Sequence, residues 1–221
     1  MLKKYKQEYT KIISNEGVLP FIKKVIRYIA SKTVYIKKLI IFERDLQIPI
    51  KKIDIQKNLF FKIATKNEFD SISTEAYGYD KNGIKYCKKR YSKGDRCILT
   101  ILDDEVVGYI WLMNKEMELS LYKHLPISSE IVYAYKAFML NKYRGKGIYS
   151  ALIHYLIKLL RDEGKKFIIA NIDKHYIQSF KPLDKMGFKE IGKIINFRFF
   201  GLKYDYISKK DMKYLQRDNS L

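Results

Sequence analysis

Cysteine, proline and glycine are scarce in this chain, which contains two Cys, four Pro and eleven Gly among 221 residues. Cys87 and Cys97 lie in a lysine-rich segment without the spacing of a metal site, so we expect free thiols, a reducing compartment and no bound metal. The sequence has no repeat, no low-complexity tract and no linker rich in proline and glycine. These absences favour one sizeable globular domain, or one domain with an added element.

Long apolar runs are also missing. The runs at residues 34–42 and 167–172 are too short to cross a bilayer, so we expect no transmembrane segment. The N-terminus leads into a charged stretch in place of the apolar core of a secretory signal. The expected location is therefore the cytoplasm.

Acidic residues are outnumbered, with 24 Asp and Glu against 44 Lys and Arg and a net charge of +20. One explanation is an anionic partner or ligand, whose local concentration a basic surface raises. The other is the compositional bias of an AT-rich genome, and both stay open. The low glycine and proline content and the lack of a clustered arginine and aromatic platform argue against nucleic acid.

Residues 1–57 form a basic N-terminal extension with one clear helical pattern. The apolar residues at helical spacing are Val18, Phe21, Ile22, Val25, Ile26 and Ile29. The pattern favours a helix packed on the main domain by its apolar face. A helix that lies on a membrane surface or binds another anionic partner is the alternative.

A predicted strand at 34–42 completes this extension, and from about residue 58 the chain alternates between strand and helix patterns up to a polar C-terminal tail at 209–221. Strands are predicted at 34–42, 59–64, 97–102, 106–113, 131–140, 167–172, 188–199 and 202–207. Helices are predicted at 68–77, 83–91, 148–161 and 176–186, a hairpin turn at 103–105 and a polar connection at 114–129. This alternation indicates a mixed α/β sheet.

The connection between the strand at 131–140 and the helix at 148–161 carries the clearest chemical signal. Gly145 and Gly147 let the backbone turn sharply and bring its N–H groups close to a ligand. The helix adds unpaired N–H groups and the positive end of its dipole, and Arg144 and Lys146 add charge. The pattern predicts a site for a phosphate or pyrophosphate.

Two familiar phosphate-binding loops do not fit this connection. The nucleoside-triphosphate loop needs a Gly-Lys-Ser/Thr ending that is absent here. The dinucleotide fingerprint needs a third glycine, where this chain has Ser150. A turn that binds the pyrophosphate of coenzyme A remains.

The run Arg144-Gly145-Lys146-Gly147-Ile148-Tyr149 resembles the signature of the GNAT superfamily of N-acetyltransferases, Arg/Gln-x-x-Gly-x-Gly/Ala. It matches at Arg144 and Gly147 and departs at Tyr149. A second landmark, from Ser179 to Gly187-Phe188, resembles the family's fourth helix and its closing Gly-Phe. The resemblance covers about residues 58–208. The run also resembles a bacterial subgroup associated with surface polysaccharide synthesis.

The resemblance implies a mixed, mostly antiparallel central sheet with splayed strands four and five and with helices on both faces. It also implies acetyl-coenzyme A as co-substrate, with its pantetheine arm in the splay. The implied cofactor-binding residues are Phe138, Met139, Leu140, Arg144, Gly145, Lys146, Gly147, Ile148, Tyr149, Ser150 and Asn171. A backbone N–H near Met139 or Leu140 would polarise the thioester carbonyl.

The acid and base that direct transfer to an amine needs are less clear in the sequence. Candidate catalytic residues are Tyr176, Ser179, Tyr149 and Tyr135. For the base, Glu130, Tyr133, Tyr135 or a water held by Asn171 or Asp173 stay open. Because the chain has 19 tyrosines, any one of them is more often a core residue than a catalyst.

The expected function is acetyl transfer to the primary amine of a small or carrier-linked molecule, such as an amino sugar. Transfer to a protein or peptide amine is the alternative within the same enzyme class. A third hypothesis is a basic binding module for nucleic acid or a membrane surface that keeps the fold without turnover. A homodimer is left open.

Overall fold

The computed structural model describes residues 18–19, 22–23, 34–50, 53–71, 81–120, 123–199 and 202–208. The side chains of 34, 70–71, 81–82 and 177–179 lie outside that description. The chain divides into two compact units, one formed by 1–38 with 195–206 and the other by 39–194 with 207–221.

Most of the predicted N-terminal helix, and the tail at 209–221, lie outside the described residues. Residues 18–19 and 22–23 are helical. Val18 and Ile22, which the prediction placed on a packed face, are exposed. At these two residues the prediction of a packed helix was wrong.

The strands are β1 (Val34–Asp45), β2 (Leu59–Ile63), β3 (Arg96–Leu102), β4 (Glu105–Met113), β5 (Glu116–Glu118), β6 (His124–Pro126), β7 (Ile131–Met139), β8 (Phe167–Asp173), β9 (Lys189–Phe199) and β10 (Leu202–Ile207). The helices are α1 (Glu68–Ser71), α2 (Lys81–Ser92), α3 (Ile148–Asp162) and α4 (Lys181–Lys185), with 3-10 helices at Asn141–Tyr143 and Lys174–Phe180.

Eight strands form one mixed sheet in the order β10-β9-β1-β8-β7-β4-β3-β2. The pairs β2–β3, β3–β4, β4–β7 and β1–β8 are antiparallel, whereas β7 and β8 run parallel. The turn between β3 and β4 has Asp103 and Asp104 at positive φ, the geometry of a tight hairpin, as predicted. The mostly antiparallel mixed sheet is confirmed.

Alternation of side chains along the central strands builds a separate apolar core on each face of the sheet within residues 39–194. Leu152, Leu156 and Leu160 of α3 pack on one face with Val132 of β7 and Ile168 of β8. Cys87 of α2 packs on the other face with Trp111, Tyr133 and Tyr135. Helices therefore cover both faces, and both cysteines are buried.

The connection at 114–129 is not a simple polar loop. It contains the antiparallel pair β5 and β6, and it buries Met117, Leu119 and Ile127 in the core shared with α2. The prediction missed this pair because the strands are only three residues long and the buried residues are separated by charged ones.

The helix predicted at 176–186 is broken. A 3-10 helix at Lys174–Phe180 precedes α4, and Tyr176 has non-helical angles of φ −109° and ψ 25°. Pro182 lies in the first turn of α4. Proline is tolerated there but would clash with the preceding turn inside a continuous helix, which explains the break.

None of the described helices is long and apolar enough to cross a membrane.

We predict that Leu156→Ala lowers the free energy of unfolding by about 2 to 5 kcal/mol, because it leaves a cavity beneath α3. Leu156 has no exposed surface, whereas Lys158, two residues further along the same helix, is exposed. Lys158→Ala is the matched control and should change the unfolding free energy by less than about 0.5 kcal/mol. Urea titration followed by circular dichroism measures both. Equal losses in the two variants would contradict this packing.

Candidate active site

The connection between β7 and α3 is a compact, hydrogen-bonded turn. The Leu140 N–H donates to Val107 O at 2.9 Å, and the Tyr143 N–H donates to Leu140 O at 3.0 Å. The Arg144 Nε donates to Met139 O at 2.9 Å, so the side chain of the signature arginine ties the turn back to the end of β7. The backbone therefore reaches α3 in a defined geometry.

Two glycines shape the last part of this turn. Gly145 and Gly147 have φ of 76° and 77°, a region that side-chain-bearing residues rarely adopt. Among the described residues, a Cβ built on either glycine would meet no atom within 4 Å, so the backbone at these two positions is open. An open surface of backbone is what a bound pyrophosphate requires.

The first turn of α3 supplies hydrogen-bond donors to that space. Its first intrahelical bond runs from the Ala151 N–H to Gly147 O at 3.0 Å, and no side chain caps the helix. By helix geometry, the N–H groups of Ile148, Tyr149 and Ser150 have no acceptor within the helix. These groups and the helix dipole favour an anion at this position.

The hairpin turn between β3 and β4 braces the connection. Glu105 accepts a hydrogen bond from the Tyr143 hydroxyl at 2.7 Å and pairs with Lys142 at 2.9 Å. The Tyr143 hydrogen bond, with that of Lys142, lowers the pKa of Glu105. Because Glu105 balances the charge of Lys142, the nearby exposed cations Arg144 and Lys146 contribute most of the positive charge of the turn.

The parallel strands β7 and β8 separate before either of them ends. Their last paired residues are Ala134 and Ala170, although β7 continues to Met139 and β8 to Asp173. Lys136 has φ of 47°, and the register between β4 and β7 shifts at this point, which marks a β-bulge. Bulges bend a strand away from its neighbour. We call the gap between the two strands the wedge.

One backbone donor of β7 points into the wedge. Antiparallel pairs alternate between residues that exchange hydrogen bonds and residues whose N–H and C=O point away. Since Leu140 bonds to Val107 of β4, the preceding pair of Met139 and Gly108 is the non-bonded kind. Of the two backbone donors that the resemblance implied, the Leu140 N–H is therefore occupied, and the Met139 N–H faces away from β4.

Tyr135 of β7 and Asn171 of β8 are the first residues beyond the last β7–β8 pair, and both contact acidic residues. The Tyr135 hydroxyl donates to Asp95 Oδ2 at 2.7 Å, and the Asn171 Nδ2 donates to the backbone oxygen of Glu118 at 3.1 Å. The structure thus brings these two predicted site residues to the mouth of the wedge, beside Asp95 and Glu118.

Arg90 of α2 is at the centre of this polar cluster. Its guanidinium pairs with Asp95 and Glu118, and its Nε donates to the Tyr86 hydroxyl at 2.6 Å. Burial opposes the charge of Arg90, but the hydrogen bond to Glu118 and the neighbouring acidic groups raise its pKa above the ordinary value. Burial also raises the pKa of Tyr135, so its hydroxyl keeps its proton and acts as a donor.

The other predicted catalytic residues have different surroundings. Tyr149 is half-buried against the apolar core beneath α3, and burial raises its pKa to about 12. Tyr176 is 69% exposed in the 3-10 helix that follows β8. The backbone of Ser179 belongs to the same helix, and its side chain lies outside the described part.

Sequence reasoning missed four charged residues of this region: Arg90, Asp95, Glu118 and His175. His175 follows β8, and its Nδ1 lies 2.9 Å from Asp173 Oδ1. A signal existed for Arg90, because it follows Tyr86 by one helical turn on the packed side of α2. Nothing local in the sequence connects Asp95 with Glu118.

The Gly-Phe landmark at the end of α4 also has a structural reason. Gly187 has φ of 77°, and a Cβ added there would lie 3.2 Å from the Nε of the buried Arg44 on β1. Phe188 is buried in the core beneath α3. The glycine is therefore required both by backbone geometry and by the close approach of Arg44.

The sequence model of the acetyltransferase (GNAT) family matches residues 60–188, which is more than half of the chain. The chain therefore belongs to the GNAT family. No curated protein matches it by sequence. The subgroup associated with polysaccharide synthesis stays a prediction.

Solved structures share the fold at low identity. A GNAT-family acetyltransferase from Colwellia psychrerythraea has a TM-score of 0.53 and 12% identity, over 76% of this chain and 57% of that one. A GCN5-related N-acetyltransferase from Sphaerobacter thermophilus has a TM-score of 0.55 and 11% identity, over 86% and 58%. The chain thus spans less than two thirds of either structure.

A third structure, a GCN5-related glucosamine N-acetyltransferase region of a fungal multi-domain β-N-acetylglucosaminidase, has a TM-score of 0.54 and 15% identity. The match covers 80% of this chain and 23% of the fungal one. At these identities the likeness shows the fold alone.

We predict that Arg90→Met destabilises the protein by about 3 to 5 kcal/mol at pH 7, because it leaves two carboxylates without their counterion. Asp95 is only 7% exposed, so without Arg90 its carboxylate would be buried without a counterion.

Arg96→Met is the matched control, because Arg96 also pairs with a carboxylate, that of Glu163, at a more exposed position. Its expected cost is below about 1 kcal/mol. Urea unfolding at pH 7 measures both variants. Equal losses in both would contradict the role given to Arg90.

Proposed function

We propose that this protein is an acetyl-coenzyme A-dependent N-acetyltransferase that acts on the primary amine of a small molecule. The observation that carries the proposal is the wedge between β7 and β8, which opens directly beside the glycine turn. Membership of the GNAT family supports acetyl transfer in general. The particular donor, acceptor and residue roles below are our proposal.

The turn would hold the pyrophosphate of coenzyme A. The N–H groups from Gly145 to Ser150 and the charges of Arg144 and Lys146 fit two adjacent phosphates. The pantetheine arm would then lie along Phe138 and Met139, whose strand has no β8 neighbour at that point. When bound, acetyl-coenzyme A would supply a reactive acetyl thioester, and the Met139 N–H would donate a hydrogen bond to its carbonyl oxygen.

The acceptor would enter from the face of the sheet that carries Tyr135 and Asn171. Glu118 is part of this cluster and is half-buried, so it can contact a polar acceptor at the rim. Tyr135 and Arg90, held by Asp95, would position the acceptor rather than exchange protons with it. Fixing both reactants in one groove supplies much of the rate.

Proton transfer requires accessible groups, and β8 leads into two of them. His175 is exposed, and Asp173 orients its ring through Nδ1, which leaves Nε2 for the proton that the attacking amine loses. Tyr176, exposed beside it, would protonate the departing thiolate. Tyr149 is a weaker acid because its phenol is buried, with a pKa of about 12.

For the acceptor we propose an amino sugar. Support comes from the resemblance of residues 144–149 to sequences associated with surface polysaccharide synthesis and from the shared fold of the fungal glucosamine N-acetyltransferase region. A protein or peptide amine is the alternative within the same chemistry, and cytoplasmic acetylation of either acceptor fits the sequence.

Titration calorimetry with acetyl-coenzyme A and free coenzyme A tests the cofactor site. We expect micromolar binding to the wild-type protein and loss of at least a hundredfold in affinity in Arg144→Ala/Gly147→Glu, because a carboxylate would occupy the anion site. Gly164→Glu is the matched control, since Gly164 has φ of 74° and equally open surroundings at the other end of α3.

The control should bind as the wild type does, and circular dichroism should show that both variants are folded. No binding to the folded wild-type protein at millimolar ligand would overturn the cofactor assignment. Equal losses in both variants would show that the effect is strain rather than ligand contact.

Release of the coenzyme A thiol, with glucosamine or a lysine peptide as acceptor, tests the proton-transfer roles. We expect His175→Gln to lower kcat by about 100-fold or more. Tyr176→Phe should lower kcat without changing coenzyme A affinity. An unchanged kcat in His175→Gln would contradict the assignment of the base, and faster turnover with the peptide would favour the alternative acceptor.

A further inference from the structure

The hairpin of β9 and β10 presents an apolar face that the acetyltransferase site does not use. The Asn196 Nδ2 donates to Asp205 Oδ1 at 2.8 Å, so these residues share one face of the hairpin. Side chains alternate along each strand, so the residues between them belong to the opposite face. That face, here called the aromatic face, consists of Ile195, Phe197, Phe199, Leu202, Tyr204 and Tyr206.

The aromatic face is exposed. Leu202 and Tyr204 are 71% and 64% exposed, and Phe197, Phe199 and Tyr206 also belong to the exposed large hydrophobic residues. Phe197 and Phe199 stack with their ring centroids 6.3 Å apart, which makes the patch continuous along β9. A contiguous exposed apolar surface of this kind marks an interaction site.

Other residues of the same compact unit have the same character. Val18, Leu19 and Ile22 are exposed on helical backbone, and Tyr35 and Ile36 are exposed on β1. Aliphatic and aromatic side chains thus share the exposed surface of this unit. Tyrosine is typical of the interface between water and a bilayer, where its apolar ring and its polar hydroxyl are both satisfied.

The charge of this unit is uneven with respect to the rest of the chain. Residues 1–38 and 195–206 contain twelve Lys or Arg but only three Asp or Glu. The remaining 171 residues contain 32 basic and 21 acidic residues. A genome-wide bias would act on both units alike, so it does not account for the scarcity of acidic residues in this unit.

We propose that this unit binds the surface of an anionic lipid bilayer. The aromatic face would enter the boundary between headgroups and acyl chains, and basic side chains of the same unit, such as the exposed Lys23 and Lys38, would contact the lipid phosphates. A second copy of this chain fits less well, because it would bring two strongly basic units together. Nucleic acid fits less well because Leu202, Val18 and Ile22 do not stack on bases.

Sedimentation with vesicles tests the proposal on the full-length protein. The probes are vesicles of phosphatidylglycerol and phosphatidylcholine in equal amounts, and vesicles of phosphatidylcholine alone, at 0.1 M NaCl. We expect at least a tenfold stronger binding to the anionic vesicles. Binding should weaken at least fivefold at about 0.5 M NaCl, because salt shortens the range of the electrostatic attraction.

Leu202→Ser/Tyr204→Ser removes the two most exposed members of the aromatic face and should weaken binding to the anionic vesicles at least fivefold. Phe60→Ser/Ile63→Ser is the matched control, since β2 is the other edge strand and these residues are 45% and 43% exposed. It should bind as the wild type does, and thermal melts should show that both variants are folded.

Three results would overturn the proposal. The first is absence of binding to anionic vesicles, or equal binding to both compositions. The second is an equal loss in the β2 control, which would indicate a non-specific hydrophobic contact. The third is that Leu202→Ser/Tyr204→Ser leaves vesicle binding unchanged but abolishes a property of the wild-type protein, either a dimer seen in light scattering or affinity for a single-stranded 20-nucleotide DNA. That result would assign the face to the partner whose binding is lost.

Discussion

A strand that parts from its neighbour leaves backbone N–H and C=O groups that must find other partners, because an unpaired buried group costs as much as a lost hydrogen bond. β7 meets this constraint over its last five residues. The bulge at Lys136 turns the strand away from β8, Leu140 returns to Val107, and Arg144 satisfies Met139 O. The Met139 N–H faces away from β4 into the wedge, where the proposed thioester carbonyl would accept its hydrogen bond.

The same constraint explains the polar cluster at the mouth of the wedge. Tyr135 and Asn171 lie where β7 and β8 separate. The continuous apolar packing found along the paired part of these strands stops before them, so their polar groups take hydrogen-bond partners instead. Arg90 pairs with both Asp95 and Glu118 there. A half-satisfied network would be worse than an apolar core, and this one joins α2, β5, β7 and β8.

Prediction from the sequence succeeded where the determining residues are close together in the chain. Gly145 and Gly147 lie between an apolar strand and an amphipathic helix, so the turn and its donors follow from local geometry. Asp95, Glu118 and Asn171 meet only because three separate connections bring them together, and no local pattern contains that information. The strands β5 and β6 were missed because they are too short for a period of two to be recognised. The break before α4 was missed because Pro182 was included in a single predicted helix.

The position of β1 has a consequence for synthesis on the ribosome. Its residues pair with β8 partners that lie between 122 and 134 residues later in the chain. At bacterial and eukaryotic elongation rates, the apolar strand therefore waits roughly 6 to 27 seconds for its partner. During that interval its open edge resembles an aggregation-prone segment, so the nascent chain is expected to depend on chaperones or on transient non-native contacts until β8 emerges.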